Sequence, residues 1–242
     1  MKHAIQIAMR DFKGFFGTPI GWISACIIFL ISGIVFYIVV QMLLMRGQSM
    51  DPASDIFGQI IGFVNYVSIF IIPAFTMKTL SDELHTGTYR LLSSSPISFW
   101  TLTIGKFLGV YFYFGFIGFL MFIYPLYAFV FTDPDIRSLF SGWFGMMLNT
   151  GAIIAISLFI SSLTKNSILS YLGSSFLIIF LIFSGYIPGI PDWYKGTANI
   201  LELSQDFSKG LIKSSSLAIF AGIILTFLSL TQFVLSTKRW RS

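Results

Sequence analysis

Long apolar runs alternate with short charged segments along the chain. Between successive Asp, Glu, Lys or Arg residues lie six uncharged runs, 14–45, 56–77, 107–132, 138–164, 166–191 and 214–237. A helix needs about 20 residues to cross ~30 Å of hydrocarbon, so each run is long enough for one transmembrane helix. The pattern predicts an all-α integral membrane protein with six spans. Ahead of them, residues 1–17 place Ile5, Met9, Phe12 and Phe16 on one helical face and Lys2, Gln6, Arg10 and Lys13 on the other. That spacing predicts an amphipathic helix lying in the membrane interface. Thr18-Pro19 then offers a capping hydroxyl and a first-turn proline, starting helix 1 near Ile20.

The second span, about Ile56 to Met77, carries Gly58 and Gly62 in Gly-x-x-x-Gly spacing, then Asn65 and Ser68. Small residues admit a close neighbour, and an amide in hydrocarbon needs a partner. Packing within the chain, a homodimer seam and a pathway lining all satisfy that demand. Pro73 removes a backbone bond and predicts a kink. The third span is expected as one helix from about Ser98 to Phe131, and the fourth from about Leu139 to Leu163. The turn Thr164-Lys165-Asn166 is so short that the fourth and fifth helices must be antiparallel neighbours. Residues 186–213 form the longest segment outside the spans. There Ile200, Leu203, Phe207 and Leu211 share a helical face, predicting a helix on, or dipping into, the outer interface. The sixth span, about Ser215 to Ser236, ends at Lys238-Arg239-Trp240-Arg241.

Composition agrees with a membrane location. Of 242 residues 55% are hydrophobic and 10% charged, with mean hydropathy +0.84, whereas about a quarter of a soluble domain is charged. With the amino terminus in the cytoplasm, the inner segments hold Lys2, Arg10, Lys13, Lys78, Arg90, Lys106, Lys165, Lys238, Arg239 and Arg241. The outer ones hold only Arg46, Arg137, Lys195, Lys209 and Lys213. This bias puts both termini inside, in keeping with a bacterial cytoplasmic membrane protein. The net charge of +5 is thereby explained without a nucleic-acid partner. The first run is too long for a signal peptide's apolar core and lacks a small-x-small cleavage site, so it is expected to stay as a helix. Cys26 is a lone cysteine, which leaves the redox compartment unread. His3 and His85 both lie outside the spans, which argues against haem ligation in the bilayer.

Catalytic chemistry is missing. No Gly-x-x-x-x-Gly-Lys-Ser/Thr phosphate loop occurs; Gly105-Lys106 is followed by Phe107, with Trp100 where the first glycine belongs. No Asp, Glu, Lys or Arg falls near the middle of a predicted span, where a charge costs about 2.5–3.5 kcal/mol and marks ion or proton relays. The buried serines have no histidine or carboxylate beside them, and serine in such helices usually bonds back to the preceding turn. The chain is expected to be no enzyme, with no catalytic residue, metal site or cofactor of its own.

One segment carries charge in quantity: KTLSDELHTGTYRLLSSSPISFWTLTIGK, residues 78–106. Gly87 and Pro96 bracket a short helix expected near Thr88 to Ser94. The order Glu83, Gly87-Thr88, Leu91-Leu92, Pro96-Ile97-Ser98, Gly105-Lys106 resembles the signature of ABC-2 type permeases, and within them the small gliding-motility GldF and NosY kind. The resemblance implies the type V, ABCG-like permease fold over the single domain 1–242, with external helices in 186–213. It also implies that 78–106 is the cytoplasmic coupling segment, docking on a separate ABC-type ATPase that holds the ATP and Mg. In that role Glu83 makes a polar contact near the ATPase and Thr88 caps the short helix. Leu91 and Leu92 anchor it, unless they are buried against the protein's own helices. The implied function is export, as a homodimer or with a second permease. A non-transporting relay to an extracytoplasmic protein, as in gliding motility, is the alternative, and a membrane scaffold the third reading.

Overall fold

The computed structural model describes residues 2–46, 52–86, 98–128, 136–185 and 199–240. Helix α1 (Lys2–Phe16) turns sharply into α2 (Pro19–Arg46). Helix α3 (Pro52–Thr76) passes through a π-helical turn, Met77–Ser81, into α4 (Asp82–Thr86). Next come α5 (Phe99–Leu120) and the short α6 (Ile123–Ala128). The chain continues through α7 (Ile136–Leu163), α8 (Ser167–Ser184), α9 (Ile200–Ser208) and α10 (Ser214–Trp240). Six helical stretches are long and apolar enough to cross a membrane, one for each uncharged run. Among the described residues there is no strand.

Because the spans alternate in direction, the start of α2, α5 and α8 and the end of α3, α7 and α10 share one end of the bundle. This near end also holds α1 and α4. Helix α7 is the central post, packed on α3, α5, α8, α9 and α10. Its buried residues include Gly142, Gly145, Gly151, Ala152, Ala155, Ser157, Ser161 and Ser162, small side chains that let neighbours approach closely in a medium where hydrophobicity gives helices no reason to associate.

Helix α9 makes one of the close approaches to α7. A Cβ on Gly145 would lie 2.5 Å from the Cβ of Phe207, and Phe207 is fully buried. The Ser141 hydroxyl donates to the Phe207 carbonyl at 2.5 Å. Ile200, Leu203 and Phe207 therefore face the protein and not the interface, while Leu211 lies beyond the helix and is exposed. Gly210, at φ +78°, makes the turn that follows, a conformation glycine adopts without penalty.

Two local expectations are corrected, and the side of α1 that packs on the protein is seen. The third span is interrupted at Met121-Phe122, because Pro125 has no N–H to give the Met121 carbonyl and its ring crowds that turn. Thr18 caps nothing ahead of it; its hydroxyl donates back to the Phe15 carbonyl at 3.0 Å. The packed face of α1 is Ala4, Ile7, Ala8 and Phe15, whereas Ile5 and Met9 are exposed and Phe12 and Phe16 half-buried. Two glycines of α5 select that face. A Cβ on Gly105 would stand 2.9 Å from the Cβ of Ile7, and one on Gly109 3.0 Å from that of Asp11.

Candidate functional site

Close packing of α1 on α5 brings four charged side chains together at the near end. Lys106, in the third turn of α5, is 1% exposed. Its ammonium donates to Glu83 Oε1 of α4 at 2.5 Å and lies 3.4 Å from Asp11 Oδ2 of α1. Arg10 closes the ring, 2.8 Å from Asp11 Oδ1 and 3.5 Å from Glu83 Oε1. A buried ammonium survives only with partners, and here two carboxylates from different elements supply them. Three segments distant in sequence, α1, α4 and the root of α5, are thus clasped. Beside them opens a cleft of about 330 Å³ whose lining includes Arg10, Asp11, Phe15, Lys78, Glu83 and Lys106.

The π turn just before α4 is fastened from the other side. The Ser161 hydroxyl of α7 accepts the Ser81 backbone N–H at 3.0 Å and donates to the Thr76 carbonyl at 2.9 Å. The Ser81 hydroxyl donates to the Thr164 carbonyl at 3.1 Å, one of the orphan acceptors at the end of α7. Asp82 takes a hydrogen bond from the Ser167 hydroxyl in the first turn of α8. Lys238, at the end of α10, donates to the Ser162 carbonyl at 2.7 Å.

Of the residues singled out from the sequence, Glu83 sits in this clasp. Gly87, Thr88, Leu91, Leu92 and Pro96, with the short helix expected near 88–94, lie outside the described residues. Asn65 is buried in a polar bridge: its amide donates to the Ser204 hydroxyl of α9 at 3.0 Å and its carbonyl oxygen accepts from the Asn149 amide of α7 at 3.0 Å. Ser68 bonds back to the Val64 carbonyl of its own helix. A Cβ on Gly58 would stand 3.4 Å from that of Ser208, while one on Gly62 would meet nothing within 4 Å. The Gly-x-x-x-Gly pair is thus split, Gly58 facing α9 and Gly62 open space. Toward the far end a second cleft of about 430 Å³ lies between α3, α8 and α9, lined in part by Tyr66, Phe70, Ile179, Phe183, Glu202 and Gln205.

Lys106, Asp11, Arg10 and Ser161 were not foreseen as partners. One signal was available for Lys106: Ser98 caps α5 by accepting the Thr101 N–H, so a lysine eight residues on lies inside the helix and needs a counter-charge. Nothing in the sequence says which carboxylate supplies it.

A six-span helical bundle with a charged, clasped projection at one end defines a multi-pass membrane protein built around that projection. A family model described as ABC-2 family transporter protein matches residues 48–204, and the chain belongs to that family. It is a membrane permease subunit and not itself the catalyst. Among curated proteins none matches.

Proposed function

We propose that this chain is the permease of an ABC exporter, driven by a separate ATPase that docks from the cytoplasm on the coupling segment 78–106, through residues 88–94. One observation carries the reading: α3 runs through the π turn into α4 as far as Thr86, and α5 starts just beyond the docking segment with Lys106 bonded back to Glu83. A push on that segment is therefore delivered to two spans at once, and to α1. Leu91 and Leu92 are assigned to the ATPase groove, with Gly87, Thr88 and Pro96 in the same coupling segment. Glu83 serves the mount rather than the ATPase. The ATPase supplies ATP and Mg. Both termini face the cytoplasm of a bacterial inner membrane, and α1 rests its Ile5–Met9 side on lipid headgroups. Gly62 and the cleft between α3, α8 and α9 are open to a second permease copy and to the substrate path, along which the two halves alternate between inward and outward states.

The test is co-purification of the native complex with and without Leu91→Asp and Leu92→Asp together. Loss of an ATPase subunit from the variant, with the permease still inserted, supports the docking assignment. An ATPase that stays bound and stimulated sinks it.

A further inference from the structure

We infer that Ser161 is a positioning residue that fixes the helical register of α4 and passes movements of α7 and α8 to the docking segment. The assignment rests on the permease reading above for the docking step, and on geometry alone for the register.

A π turn holds one residue more than an α turn, is rare, and occurs frequently at functional sites. Here the Asp82 N–H reaches five residues back to the Met77 carbonyl. Ser161, fully buried, has one hydroxyl hydrogen and free lone pairs. It gives the hydrogen to Thr76 and takes the N–H of Ser81, so a single oxygen bridges the two ends of the wide turn. In an α register the Ser81 N–H would turn to the Met77 carbonyl, and Ser161 would lose its donor. Everything beyond would rotate by about 100° and advance by about 1.5 Å, the geometry of one residue. Glu83 would leave Lys106, stranding a buried ammonium, and Asp82 would leave Ser167. The two registers are therefore discrete states, and the bridge from α7 selects the wide one together with the Lys106–Glu83 pair. Packed elements with two discrete arrangements are how small shifts become large ones. Ser161 stands three residues from the turn that joins α7 to α8, so it moves with both.

The experiment places spin labels at His85→Cys on α4 and Lys165→Cys in the α7–α8 turn, in a Cys26→Ser background. Both positions are exposed and border one near-end cleft. In a Glu83→Gln background, which removes the ion pair that also opposes the α register, Ser161→Ala is expected to shift the interspin distance by several ångströms, or split it into two populations, as a rotation of about 100° requires. Ser161→Thr retains the hydroxyl and the parent distance. In the complex with its ATPase, Ser161→Ala lowers ATP hydrolysis about threefold to tenfold, one hydrogen bond's worth of population, without loss of assembly, and Ser161→Thr restores it. An unchanged distance in the Glu83→Gln, Ser161→Ala double variant overturns the register assignment whether or not an ATPase partner exists. A shifted distance with unchanged hydrolysis overturns the transmission step. Failure of the Leu91 and Leu92 test removes the docking reading and leaves the distance result standing.

Discussion

Lys106 is the residue on which the near end turns. With the ammonium 1% exposed and two carboxylates against it, removing it leaves the largely exposed Arg10 to pair both Glu83 and Asp11. Lys106→Met is expected to destabilise the fold by about 3–5 kcal/mol, the usual cost of breaking a buried pair from one side. Adding Glu83→Gln removes one of the stranded charges, so the double variant should lose clearly less than the sum of the singles. Thermal unfolding in detergent, followed by gel filtration, reads both. A Lys106→Met protein as stable as the parent would show that the ions do not hold the elements together. The exposed Lys213–Asp206 pair, 2.8 Å apart, is the control, since surface pairs contribute ~1 kcal/mol or less.

For the elements, the docking of α1 depends on two missing side chains. A branched residue at position 105 has no room, because a Cβ alone already meets Ile7 at 2.9 Å and the Ala4 carbonyl at 3.0 Å. Gly105→Val should therefore lift α1 from α5. A cysteine at Ala8, fully buried in the parent, should then react with maleimide in a Cys26→Ser background. It should stay silent with Gly105, and also with Gly14→Ala, where a Cβ would meet nothing within 4 Å. Equal labelling in all three would mean that α1 is not seated there.

Elements were legible from the sequence to the extent that hydropathy records them. The six spans follow from six uncharged runs, but Pro125 breaks α5 from α6 by lacking an N–H, and hydropathy does not register a missing donor. The outward face assigned to α1, Ile5 and Met9, is as apolar as the face that packs. Only the glycines of α5, more than ninety residues away, decide between them. Helix α9 poses the same difficulty. Ile200, Leu203 and Phe207 suit a lipid interface as well as the notch at Gly145, because lipid and protein interior are equally dry. In the candidate site, Glu83 and Lys106 each stood out while their bond did not. Ser161 looked like any serine bonding back within its helix, and its link to Ser81 is tertiary.

Across the whole molecule, α1, the end of α10, α4 and the α7–α8 turn gather at one end, and α9 at the other. Single cysteines at His3, His85 and Lys165 in sealed vesicles should label from one side of the membrane, and those at Glu202 and Lys213 from the opposite side. All five positions are exposed. His85 and Glu202 labelling from the same side would contradict the six-span arrangement.

The seating of α1 against α5 has a consequence for how the protein is made. Helices α2, α3 and α4 emerge from the ribosome between them, so α1 has no berth until α5 is inserted. Until then Arg10 and Asp11 have neither Glu83 nor Lys106, and the membrane surface is the only shelter for the apolar sides of α1. Assembly at the near end thus waits for a late arrival and closes around a helix made well before it.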